Sequence, residues 1–143
     1  MKKAIKKKSP VSLYSTWWVK PGNEKVLAKA LKKLAKKVME KEEGTLMYLV
    51  HSPRYDFPTV PKGKNPILSE PMVRPGTLIF VEKYQDWDAF KTHLYGPYFT
   101  TFVKEHKSKF VLGDDGNPFV QVVFMNEEAG FATKEKSIYT MSK

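Results

Sequence analysis

The sequence predicts a small α+β domain: a four-stranded antiparallel sheet, with helices on one face, in the order strand, helix, strand, strand, broken helix, strand. Three observations lead there. Residues 24–41 repeat apolar side chains at helical spacing. Four short segments alternate or run apolar over strand length. Gly, Pro and Asn clusters separate them. At 143 residues the chain has the length of one ordinary domain, and its 41% apolar and 13% aromatic content suffices for a core.

Residues 11–19, VSLYSTWWV, alternate, with Val11, Leu13, Ser15, Trp17 and Val19 on one side and Ser12, Tyr14, Thr16 and Trp18 on the other. Pro21-Gly22-Asn23 is a turn, in which Asn23 is a suitable N-cap and Glu24 suits the positive end of the helix dipole. Val26, Leu27, Ala30, Leu31, Leu34, Ala35, Val38 and Met39 then form an apolar stripe, and lysines occupy the rest of the cylinder. Gly44 is placed to end the helix as a left-handed C′ residue. Residues 45–51 and 77–84 read as the second and third strands. Asp86 caps a helix from Trp87 to about Leu94, Gly96-Pro97 breaks it, and a second run continues from Tyr98 to about Lys109. Residues 119–125 are the fourth strand, and residues 137–141 carry a possible fifth.

This order is the split βαβ unit of ferredoxin-like folds. The chain divides into a disordered basic tail (1–10), a folded domain (11–126) with a proline-rich insertion (52–76), and a C-terminal extension (127–143). The strands are apolar on both sides: Leu46, Tyr48 and Val50 against Met47 and Leu49, and Leu78 and Phe80 against Ile79 and Val81. Helices can cover only one of those sides. The other predicts a second copy of the chain, stacked sheet to sheet as a homodimer.

The net charge of +10 is concentrated. Five lysines fall in the first eight residues, and residues 20–43 carry eight lysines against four glutamates. The tail reads as a solvated arm able to touch nucleic acid or an anionic surface weakly, in a salt-dependent way. There is no cysteine, so disulfides, thiolate metal sites and thiol nucleophiles are excluded. No segment approaches the roughly 20 apolar residues of a bilayer span. The basic start is not followed by a continuous apolar run, as a signal peptide requires. We therefore expect a cytoplasmic protein with no membrane partner and no specific nucleic acid. The third strand, TLIFVEKY, also lacks the basic and aromatic stacking signature of RNA-recognition motifs.

Several stretches are similar to a known family. They are Val19-Lys-Pro-Gly22; Glu43-Gly44-Thr45-Leu46-Met47-Tyr48; and Phe80 to Phe90 running into His93-Leu94-Tyr95-Gly96-Pro97-Tyr98-Phe99. In these the chain resembles, over roughly residues 11–125, the antibiotic-biosynthesis (quinol) monooxygenases of the dimeric α+β barrel superfamily. The resemblance implies a dimeric barrel with one small hydrophobic pocket per subunit. It also implies oxidation of quinols or polycyclic phenols by molecular oxygen without metal, flavin or haem. Haem-degrading relatives pair a helix histidine with a strand asparagine; here the helix position holds Phe102-Val103, and the first strand has no asparagine.

Oxidising an electron-rich aromatic ring without a cofactor needs a base for the phenolic proton, a dry apolar pocket and donors for the developing oxyanion. His93 is the candidate base, because it exchanges protons near neutrality and matches the family histidine; the plainer alternative is a structural histidine at the Gly-Pro break. Glu82 is an acid in an otherwise apolar strand, and so is either paired or turned to a pocket. Trp18, Tyr48, Tyr98, Phe99 and Phe102 are the candidate substrate-binding aromatics, and any one of them could equally be core. His51 and His106 lie far from His93 in sequence and have no metal-ligand spacing, so no metal site is expected. A non-catalytic dimer that binds a small hydrophobic molecule, or a stress-related protein, is the competing reading.

Overall fold

A computed structural model of the chain describes residues 9–54 and 74–133. Residues 1–8 of the basic tail, most of the proline-rich insertion and the possible strand at 137–141 lie outside the described residues. The elements are β1 (Val11–Trp18), α1 (Glu24–Lys41), β2 (Thr45–His51), β3 (Thr77–Tyr84), α2 (Trp87–Tyr95), α3 (Pro97–His106), a 3-10 turn (Lys107–Lys109) and β4 (Val120–Met125). The sheet order is β2-β3-β1-β4 with every pair antiparallel, as the ferredoxin-like reading requires.

Alternation along the strands sends Leu13, Ser15 and Trp17 of β1 and Phe80, Glu82 and Tyr84 of β3 into the helix-covered side. Trp17 is the hub of the larger core cluster. Its ring meets Phe80 at 5.4 Å, Phe110 at 5.2 Å and Phe99 at 6.1 Å. Leu27, Leu31, Leu34 and Val38 of α1 seal that cluster, each burial contributing about 1.5–3 kcal/mol. A second cluster joins Val11, Leu13, Tyr84 and Phe90.

Four details depart from the sequence reading. The apolar stripe of α1 is narrower than its spacing implies: Val26 and Met39 are each 50% exposed. Asn23 occupies the N-cap position without capping through its side chain; its Nδ2 donates to Lys20 O (3.1 Å), and the Glu24 carboxylate accepts from Gly22 N–H (2.9 Å). Gly44 does not adopt the left-handed conformation of a C′ glycine. Its role is close approach, since a Cβ there would lie 2.5 Å from Ala89 Cβ. Finally, β4 is exposed on both of its faces, with Val122, Val123 and Phe124 each more than 40% accessible.

The α2–α3 junction follows the expected chemistry. Asp86 Oδ1 accepts from Ala89 N–H (2.8 Å) at the start of α2. Gly96 closes α2 and opens α3, and Pro97 follows at the first helical position. A side chain at Gly96 would strike the carbonyl oxygen of Thr92.

Gly44→Ala should lower the unfolding free energy by roughly 1–3 kcal/mol, because β2 and α2 must separate to admit the methyl. Urea unfolding would read this as a lower midpoint with an unchanged slope; an unchanged midpoint would contradict the close approach.

Candidate functional site

The sequence between α1 and β2 turns within three residues. Glu42 ends α1 with its N–H on Val38 O (3.0 Å), and Thr45 N–H returns to Glu42 O (3.1 Å). Gly44 lets this turn press against Ala89, one turn of α2 before His93. The result is that the Glu42 carboxylate and the His93 imidazole meet inside the protein: Nδ1 and Oε2 are hydrogen-bonded over 2.8 Å, and the two side chains are 6% and 3% exposed. Thr45 Oγ1 donates to the same oxygen at 3.3 Å.

Aromatic rings wall the imidazole. Tyr48 of β2 lies 5.1 Å away, Phe99 of α3 5.0 Å and Tyr84 of β3 5.7 Å, centroid to centroid. Glu82, opposite Tyr48 in the β2–β3 register, is also buried and accepts from Tyr84 Oη–H at 2.7 Å. Two carboxylates, two phenols and one imidazole are thus gathered between β2, β3 and α2. Two buried atoms in this group have no hydrogen-bond partner among the described residues: Glu42 Oε1 and the Tyr48 hydroxyl. An orphaned acceptor and an orphaned donor beside one imidazole leave hydrogen-bonding capacity that the fold does not use.

Burial raises the Glu82 pKa above the ordinary 4.5; the Tyr84 hydrogen bond and nearby His93 oppose the rise, and Glu42 adds to it. Burial, then Glu82 and Glu42, hold the Tyr48 phenol protonated. Burial and Glu82 do the same to Tyr84. Both phenols are therefore hydrogen-bond donors.

Of the side chains singled out in the sequence, His93, Tyr48, Glu82 and Phe99 come together here. Trp18 lies on the opposite face of the sheet, 5.6 Å from Phe119. Tyr98 stands under Lys37, whose Nζ is 5.9 Å from the ring centroid. Phe102 is core, packed on His106 and Phe110. His51 is exposed at the end of β2, its Nδ1 3.2 Å from Ile79 O. His106 is partly buried, its side chain 18% exposed; burial and then Lys109 depress its pKa. Among the described residues, no group of three or more histidines and carboxylates could hold a metal ion. Sequence reasoning missed Glu42. The signal was present, because Glu42 follows Val38 by four residues and so continues the core phase of α1.

Glu82→Gln tests the burial of this carboxylate. A raised folded-state pKa means that the native state binds its proton more tightly than the unfolded chain does, so wild-type stability falls as pH rises through and above 4.5. Glutamine keeps an acceptor for Tyr84 and does not ionise. The stability of Glu82→Gln relative to wild type should therefore increase between pH 4 and pH 7; a difference that is flat or falls with pH would contradict this.

The family model for antibiotic biosynthesis monooxygenase matches residues 10–105, which include every member of the buried cluster. None of the curated proteins searched matches the chain. Among solved structures, a Bacteroides thetaiotaomicron protein named provisionally as an antibiotic biosynthesis monooxygenase superimposes with a TM-score of 0.65, at 15% identity, over 90% of this chain and 100% of its own. A Caulobacter crescentus protein named in the same way gives 0.62 at 19% identity, over 85% and 93%. Rv0793 from Mycobacterium tuberculosis gives 0.59 at 17% identity, over 85% and 100%. At these identities the structures speak to the fold, whereas the family match spans two thirds of the sequence: the chain belongs to the antibiotic biosynthesis monooxygenase family.

Proposed function

We propose that this protein is a cofactor-independent monooxygenase that oxidises a quinol-like or polyphenolic aromatic substrate with molecular oxygen. The observation that carries the reading is the buried Glu42–His93 pair, flanked by a donor and an acceptor that have no partner among the described residues. The chemistry balances without an added redox group. A quinol and one dioxygen yield a hydroxylated quinone and one water: the substrate supplies the electrons, one oxygen atom enters a ring carbon and the other leaves as water.

In this reading His93 Nε2 takes the phenolic proton, and Glu42, hydrogen-bonded to Nδ1, balances the imidazolium that forms. The Tyr48 hydroxyl, kept protonated by burial, is the donor available to the substrate oxyanion. Phe99, packed on His93, gives a flat ring an apolar surface. Glu82 tunes the cluster through Tyr84. Trp18 and Tyr98, also proposed from sequence as substrate contacts, and Phe102 lie outside this immediate group.

We further infer a cytoplasmic homodimer. The sheet face turned away from the helices exposes Tyr14, Ile79, Val123 and Met125. Stacking two such faces would bury these side chains and shield the edge strand. Among the described residues, no helix is long and apolar enough to cross a membrane.

His93→Asn retains a donor toward Glu42 but removes the base. It should lower kcat by about 100- to 10,000-fold in oxygen uptake with a panel of reduced naphthoquinols and anthrones, while far-UV circular dichroism stays unchanged. Tight binding of these compounds by wild type with no uptake across the panel would overturn the reading in favour of a non-catalytic binding protein. Sedimentation equilibrium should show a dimer; a stable lone subunit at micromolar concentration contradicts the sheet-to-sheet pairing.

A further inference from the structure

The solvent side of α1 is a lysine ridge. The helix carries seven lysines and two glutamates, and all seven lysines are exposed. At 3.6 residues per turn, Lys25, Lys29, Lys32 and Lys36 fall within about 60° of arc, nearly opposite the buried Leu27, Leu31, Leu34 and Val38, and span about 16 Å. Lys33 lies beside them. Among the described residues, the only ion pair on this helix is Lys36–Glu40, at 3.9 Å and solvent-exposed. The pairs 25/29, 29/33, 32/36 and 33/37 are like charges at i,i+4, an arrangement that costs helix stability. Lys104 of α3, which packs beside α1, and Lys107 of the 3-10 turn that follows it widen the positive surface. The fold has no use for this ridge, and a second copy stacked on the far side of the sheet would leave it open.

Two more features indicate its partner. Val26 and Met39, each half exposed, flank the lysines on opposite sides of the ridge, where the core does not reach them. The cations of α1 are all lysines, point charges on long apolar stems, with no arginine fork and no Asn or Gln on the helix to read base edges. A ridge of lysines with a half-exposed apolar side chain on either side matches a basic surface that meets anionic lipid headgroups. We propose that α1 docks this protein peripherally on anionic lipid bilayers. This revises the expectation of no membrane partner, which rested on the absence of a spanning segment. It is independent of the oxidation chemistry at His93.

The test is co-sedimentation of the full chain with vesicles of phosphatidylcholine alone or with about 30% phosphatidylserine, at low and high salt. Wild type should bind only the anionic vesicles, and less at high salt. Replacing Lys25, Lys29, Lys32 and Lys36 by Gln, a comparable helix former, should weaken binding by roughly 100-fold or more, at about fivefold per lysine. Replacing the five lysines of residues 1–8 should leave most of the binding intact. Val26→Ser with Met39→Ser should weaken binding severalfold. Unaltered binding by the four-lysine variant, complete loss in the tail variant, or no effect of the Val26 and Met39 changes would each overturn the proposal. Tighter binding to duplex DNA or RNA than to the vesicles would overturn it in favour of a nucleic-acid surface.

Discussion

The buried contact between Glu42 and His93 is the constraint on which the rest of the structure depends. A carboxylate removed from water must be paired or neutralised, and this one has a single strong partner, on a helix 51 residues further along the chain. Satisfying it fixes the end of α1 against the middle of α2. That in turn demands the close approach of Gly44 to Ala89 and the three-residue turn into β2. The strand is thereby delivered with Tyr48 beside the imidazole and Glu82 opposite Tyr48. Fold and candidate chemistry are thus two consequences of one arrangement. Removing either partner of such a dry pair typically costs about 3–5 kcal/mol, because the other is left buried and unsatisfied.

Much of the architecture is legible in the sequence because it rests on periodicity. Strand β3 coincides with the predicted 77–84, and β1, β2, α1 and the Gly96-Pro97 break fall where alternation, helical spacing and turn residues place them. The departures have physical reasons. Val26 and Met39 share the spacing of the core stripe but lie at its margins, where the sheet no longer faces the helix. Gly44 is read from sequence as a conformational glycine, yet it is a packing glycine; only the neighbour, Ala89, distinguishes the two roles.

The candidate site was half legible. Glu82 stands out as an acid in an otherwise apolar strand, His93 as a residue that exchanges protons near neutrality and matches the family histidine, and Tyr48 and Phe99 as candidate pocket aromatics. Glu42 does not stand out, because it follows a lysine-rich helix and precedes Glu43 and so looks like one more surface charge. Which aromatics share one space with the histidine is a question of three-dimensional register. Trp18 differs from Trp17 by one residue and lies on the other face of the sheet, as the period of two requires.

The state of the His93 ring tests the central claim most directly. Long-range proton–nitrogen NMR on imidazole-labelled protein should show the proton on Nδ1, bonded to Glu42, with Nε2 bare in the neutral ring and shifting when a reduced naphthoquinol is added anaerobically. A neutral ring protonated on Nε2 with Nδ1 bare, or nitrogen signals that ignore the quinol, would contradict the account.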